Sequence, residues 1–265
     1  LRAWRFTFVA LAVSAVIGGA MALWDLRLTY YTSAIAFLLS LGVVLFFHEP
    51  KSRQPAGNEL ERLHALRGSM RNPVLFWLFG LAAFMYGFSH LPFVFGQPFI
   101  LQALEGLNLA ANAPLVSGAV TAMMMLISVL TSWLAPTLRA RIGLAGLLLF
   151  AFAIQIGLVA GLALTGSALA MALLLLRMVP DSFSRPFILA RIQPELPDEV
   201  RATYLSIQSL AARLLFAGSL YIASGQASDV GAMSHDQIST ILTGYAFAGV
   251  IALALLGATA RNRGL

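Results

Sequence analysis

Four charged residues stand in sequence that is otherwise apolar: Arg177, Asp181, Arg185 and Arg213. The first three are spaced by four, which places them on one face of a helix. A charge in the hydrocarbon layer costs about 2.5–3.5 kcal/mol on the insertion scale, so such residues face a protein interior or a wet cavity. Asp181 is the carboxylate that falls inside an apolar segment. It could take and release a proton under the opposing influences of desolvation and nearby arginines. Arg177 and Arg213 would hold an anionic group or neutralise Asp181 when the site is empty. The bland alternative is a static ion-pair cluster that glues helices together. At about 1.5 Å per residue, Arg177 lies roughly 15 Å from the outer end of its helix and Arg213 roughly 18 Å from Arg201 at the inner surface. Those depths let Arg213 approach Arg177 and Asp181. Arg185 is expected to snorkel toward the inner headgroups. Pro180 and Pro186 flank Asp181 and predict a bend there.

A second group lies in the stretch from Tyr86 to Phe99, which contains Pro92, Pro98, Gly87 and Gly96. Each interior Pro removes a backbone hydrogen bond, and broken backbone within a membrane is tolerated where it packs in protein or lines a cavity. Tyr86, His90, Phe93 and Gln97 are therefore candidates for solute contact. A kinked packing helix with a structural His90 is the competing reading. Ser206, Ser209 and Arg213 form a polar stripe that faces either the path or a neighbouring helix.

The elements that must position these groups are membrane spans. Of 265 residues, 59% are hydrophobic and 11% charged, with a net charge of +6. A soluble domain carries roughly 25% charged residues, so this chain lacks the polar surface to coat a globule. Eight segments approach the ~20 apolar residues that a bilayer requires. They are 4–24, 30–47, 74–101, 115–134, 144–164, 168–188, 203–223 and 241–257. The first is too long for a signal-peptide core. Numbering the connections alternately, one side collects the basic residues at 2, 5, 51, 53, 62, 67, 71, 139, 141, 191, 201, 261 and 263, and the other only Arg27. The positive-inside rule then predicts cytoplasmic chain ends and a multi-pass protein of the inner or plasma membrane.

Between the second and third spans lies the one long connection, 48–72. Its Leu60, Leu63 and Leu66 predict a short helix on the inner membrane surface or a solvated linker. Asn72-Pro73 reads as an N-cap with Pro at the first helical position. Ser234 with Gln237 reads as a capping box, since consecutive Ser234, His235 and Asp236 cannot converge as a hydrolase triad.

The pattern resembles the major facilitator superfamily of secondary transporters. Gly18-Gly19, then Arg27 and Tyr30, is similar to the family's fifth-helix antiporter motif and the aromatic turn after it, with Ser14-Ala15 where the motif has Gly-Pro. Residues 132–143 (SWLAPTLRARIG) occupy the place of the Gly-x-x-x-Asp-Arg gating loop, with Arg139 and Arg141 as the gating-loop candidates and Ser132 and Pro136 in place of Gly and Asp. The stretch from Arg201 to Arg213 resembles the eleventh-helix start of efflux-type members. The resemblance implies an all-α polytopic membrane protein. Residues 1–47 would be the last two helices of an N-terminal bundle, 48–72 the cytoplasmic central loop, and 73–265 a six-helix C-terminal bundle. The partners it implies are a small-molecule substrate, the lipid bilayer, protons, and the preceding helices of the same transporter. The function it implies is proton-coupled efflux by alternating access, with antiport as the family motif's cycle.

Other classes lack their signatures. No His-Glu-x-x-His, Gly-x-Ser-x-Gly or phosphate-cradling Gly-rich loop is present, which argues against an enzyme. The four histidines are scattered and Cys is absent, so no metal or other cofactor is expected. Basic residues are dispersed through short connections, so no nucleic acid is expected as a partner. A non-transporting membrane scaffold or sensor remains the alternative.

Overall fold

The computed structural model describes residues 2–48, 58–106, 112–165, 168–225 and 234–260; within these, side chains are described except at Arg2, 96–106, 168–171 and His235. Every regular element among the described residues is helical. The elements are α1 (Arg2–Trp24), α2 (Leu26–Leu45), α3 (Glu59–Arg71), α4 (Pro73–Gly106), α5 (Ala113–Leu164), α6 (Ala168–Leu175), α7 (Val179–Ile192), a 3-10 turn (Gln193–Glu195), α8 (Asp198–Ser224) and α9 (His235–Ala260). Among the described residues, six helices are long and apolar enough to cross a membrane. One of them, α5, carries Gly143 at φ 74° and ψ 176°, which divides it into limbs 113–142 and 144–164. Only Gly adopts that backbone region at no steric cost. With both limbs of α5 counted, and α6 with α7 as one broken crossing, the described residues supply the eight expected spans.

Local chemistry sets most helix ends as the sequence implies. Asn72 Oδ1 accepts from the backbone N–H of Val74 at 2.9 Å, and Pro73 opens α4. Gln237 N–H donates to Ser234 Oγ at 3.3 Å while Ser234 N–H donates to Gln237 Oε1 at 3.0 Å, the reciprocal capping box. Asp25 Oδ1 accepts from Arg27 N–H at 2.9 Å, so α2 begins earlier than the aromatic turn at Tyr30 suggests. The short helix expected around residues 58–66 is present as α3 and extends to Arg71, with Leu66 and Met70 packed on the main core.

Three expectations are corrected. The stretch from Tyr86 to Phe99 is not broken: α4 is helical from Pro73 to Gly106, through Pro92 and Pro98. Phe88, Leu91 and Phe95 are buried on both sides of Pro92, and this packing compensates the lost hydrogen bond. The connection expected over 132–143 is helix up to residue 142 and contracts to the turn at Gly143. The break in the 168–188 span falls at residues 176–178, one turn before the expected bend at Asp181. Pro180 sits in the first turn of α7, where its missing N–H costs no intrahelical bond.

The core lies between α4, α5, α7, α8 and α9. Phe88, Phe152, Tyr204 and Leu242 are buried in it. Trp77 Nε1 donates to the Leu256 carbonyl at 3.0 Å, and the Tyr204 hydroxyl donates to the Leu75 carbonyl at 2.8 Å. Helix α1 lies along the first limb of α5. A Cβ on Gly19 would stand 2.7 Å from the Pro114 carbonyl oxygen, and one on Gly118 would collide with that of Ala15. The two backbones can approach this closely only because both positions are Gly. Helix α2 packs on α1 and buries none of its own residues.

Two outcomes test this packing. Gly118→Val should force α1 away from α5 and destabilise the protein by about 1–3 kcal/mol, as overpacking does, whereas the same change at Gly42 on α2, which faces open space, should be near neutral; thermal unfolding in detergent compares the two. Tyr204→Phe should cost about 1–2 kcal/mol, because it removes the donor to a buried carbonyl.

Candidate functional site

The break between α6 and α7 positions the charged residues. Val179 N–H bonds to the Leu176 carbonyl and Arg177 N–H to that of Leu174, both tight i→i−3 turns. A new helix starts at Val179, so Asp181 occupies its first turn. There the positive end of the helix dipole favours a carboxylate. Asp181 is only 7% exposed. Its Oδ2 lies 3.5 Å from Arg185 Nε, one turn along α7. Arg185, His90 and Arg177 act on it electrostatically, Arg185 most strongly. The Arg185 side chain is 47% exposed and lines the same cavity as Asp181. Pairing with the buried carboxylate keeps its Nε at the cavity wall.

That cavity has a volume of about 320 Å³ and lies between α1, α4, α7 and α8. Tyr86, Ser89, Asp181, Arg185, Gln208 and Ser209 supply its polar wall, while Trp4, Met85 and Leu205 are among its apolar lining. The size sits at the low end of small-molecule sites, roughly 300–1,000 Å³. His90 stands behind Tyr86, with ring centroids 4.2 Å apart, and both rings contact Phe216 of α8. His90 Nδ1 lies 2.7 Å from the Tyr86 carbonyl oxygen. A carbonyl can only accept, so Nδ1 carries hydrogen and Nε2 is the nitrogen left for another partner.

The sequence candidates therefore divide. Tyr86 and Asp181 share the main cavity, with His90 packed against it. Arg177 and Phe93 line a second, smaller cavity of about 110 Å³ between α4, α5 and α6, with the Arg177 guanidinium 5.3 Å over the Phe93 ring. Arg213 does not join Asp181: it is exposed on α8, and no ion pair or hydrogen bond to it is found among the described residues. Its rotation about the helix axis turns it away from the face that carries Tyr204, Gln208 and Ala212. Of the polar stripe, Ser209 lines the cavity and Ser206 does not. The side chain of Gln97 lies outside those described. Arg139 and Arg141 are exposed on helix rather than in a loop, and the Arg139 guanidinium lies 5.4 Å over the Phe187 ring.

Two features escaped the sequence reading. Gln208 is 9% exposed and its Nε2 is buried without a hydrogen-bond partner. The buried series Tyr204, Gln208 and Ala212, spaced by four, is the signal that could have marked it. The second is a clasp at the start of α1. Arg5 Nε donates to Ser132 Oγ at 3.0 Å, Arg5 also donates to the Ser132 carbonyl at 3.3 Å, and its guanidinium lies 5.7 Å over the Trp133 ring. Trp4, beside it, closes one wall of the main cavity.

The profile of the Major Facilitator Superfamily matches residues 6–220. The chain belongs to this superfamily. It is thus a multi-pass membrane transporter, of a superfamily made up of transporters rather than enzymes. No match was found among curated proteins. In a superfamily transporter, a buried carboxylate on the wall of a solute-sized cavity is a group that can change protonation state as the cavity opens and closes.

The absence of native Cys makes the cavity's wetness measurable. Ser209→Cys and Leu210→Cys would each be a unique thiol on an exposed position of α8. The first should react with a small water-soluble thiol reagent in membranes, and the second, turned toward lipid, should resist it.

Proposed function

We propose that this superfamily member moves a small solute by alternating access and couples that movement to protons, with Asp181 as the proton-carrying group. The observation that carries the reading is the burial of one carboxylate at a helix break, on the wall of a cavity large enough for a solute. The resemblance to efflux-type members implies export by exchange with protons. The sense of proton movement follows from which of Asp181's partners the solute displaces. Tyr86 and Ser89 would contact the solute directly, and His90 would buttress Tyr86.

In this reading residues 1–47 belong to one bundle and 73–265 to the other, with 48–72 as the cytoplasmic connection and both chain ends cytoplasmic. The preceding helices of the first bundle would complete the solute path. The bundles rock at the seam between α1 and α5, where Gly19 and Gly118 let the backbones touch. The clasp of Arg5 on Ser132 would then hold one end of that seam closed.

The test is flux in reconstituted vesicles under an imposed pH gradient. Asp181→Asn should bring proton-driven solute movement to background while leaving expression and thermal unfolding close to the parent. Proton-driven flux that survives this change would remove Asp181 from the coupling role. A protein that moves no solute in either form would favour a scaffold or sensor.

A further inference from the structure

We infer that the solute is an organic anion, held by Arg185 and Gln208 while Asp181 carries a proton. The inference rests on the coupling role proposed for Asp181.

The donors come first. Gln208 lines the cavity, and its Nε2 is buried and bonds to no protein atom. An amide NH₂ can only donate, so its missing partner is an acceptor. Arg185 touches Asp181 through Nε alone, at a long 3.5 Å, and no other hydrogen bond to its guanidinium is found among the described residues. The remaining N–H groups form a planar fork that matches a carboxylate or sulfonate.

Charge favours the same class. Arg185 and Arg177 from their own span, and His90 from α4, are the groups that act on Asp181. Packed on the same face, α8 contributes the uncharged Gln208 and Ser209, and α5 the uncharged Thr131, whose hydroxyl lies 2.8 Å from that of Ser182. Arg5 of α1 is committed to Ser132. Arg185 is the arginine that lines the cavity with Asp181, while Arg177 stands in the neighbouring cavity over Phe93. With Asp181 protonated, Arg185 leaves the cavity wall positive, so a cation would be repelled and an anion would neutralise it. The volume of about 320 Å³ and the lining by Trp4, Met85 and Leu205 suit a compact apolar body, an aryl or short alkyl acid.

Coupling follows from the shared arginine. Ionised Asp181 holds Arg185 and repels an incoming anion. When a solvent proton bonds to the Asp181 carboxylate, the ion pair is lost and the guanidinium is free for the solute. Proton and anion then bind together, and each raises affinity for the other. This cycle is cotransport rather than the exchange implied by the fifth-helix and efflux-type resemblances, so an inward proton gradient drives it as uptake.

The experiment is equilibrium binding to the purified protein in detergent, with benzenesulfonate, benzoate, benzamide and benzyltrimethylammonium as probes. Benzenesulfonate is ionised throughout, so any linked proton is taken up by the protein. Both anions should bind and benzamide and the cation should not. Benzenesulfonate affinity should rise about tenfold per unit fall in pH while Asp181 is ionised, with one proton taken up per anion. Asp181→Asn should bind it with no pH dependence. Arg185→Gln and Gln208→Leu should each weaken it, Arg185→Gln by about tenfold or more. Preferential binding of the cation, anion binding unaltered in Arg185→Gln, or no anion binding at millimolar concentration would each overturn the inference. The two proposals fail separately. Anion binding with proton uptake, alongside proton-driven flux that survives Asp181→Asn, supports the anion site and removes only the coupling role. Cation binding alongside flux lost in Asp181→Asn overturns only the anion site.

Discussion

A carboxylate kept out of water must be compensated, and the compensation of Asp181 organises the middle of this transporter. Three things act at one place. The span breaks at residues 176–178, so the carboxylate stands in the first turn of a fresh helix. Arg185 follows one turn later and forms the ion pair. Gln208 and Ser209 of α8 close a polar wall around both. Without the break, Asp181 would sit at mid-helix, away from the positive end of a helix dipole. Pro180 makes the break tolerable, since a first turn is where a residue lacking N–H fits.

Around this centre the packing is tight where backbones meet and open where solute would pass. The seam between α1 and α5 depends on two glycines whose backbones touch those of their neighbours. One end of that seam is clasped by Arg5 on Ser132, and the neighbouring Trp4 walls the cavity. The residue that closes the cavity and the residue that holds the seam are therefore adjacent in sequence, so movement of the first turn of α1 affects both. On the far side, the buried hydroxyl of Tyr204 ties α8 to the start of α4. That bond lies one turn from Gln208, and it sets which face of α8 looks into the cavity.

The partition of the arginines shows how a protein uses fixed charge in an apolar layer. Arg185 pairs with Asp181, Arg177 lies over the ring of Phe93, Arg139 over Phe187, and Arg5 over Trp133. An aromatic face offers a cation a partner that carries no charge of its own. Three of these four guanidiniums are thereby placed without a carboxylate, which leaves Asp181 as the titratable acid of the cavity wall. Arg213, on the exposed face of α8, shares in none of this.

What the chain settles by itself is what local chemistry settles. Apolar runs of bilayer length require spans, Asn72-Pro73 and the Ser234–Gln237 box start helices, and the four-residue spacing of Asp181 and Arg185 puts them on one face. Class, span number and the central carboxylate were legible for that reason. The partner of that carboxylate was not. Arg177, Arg185 and Arg213 all lie at workable depths, and depth is counted along a helix axis, whereas pairing depends on rotation about it. Rotation is set by long-range contacts such as the Tyr204 hydroxyl on the Leu75 carbonyl. The same limit hid Gln208 and the Arg5 clasp, which join residues distant in sequence. It also misplaced the breaks, because a Pro in a continuous helix and a Pro at a helix start look alike until the packing on either side decides which hydrogen bond can be lost.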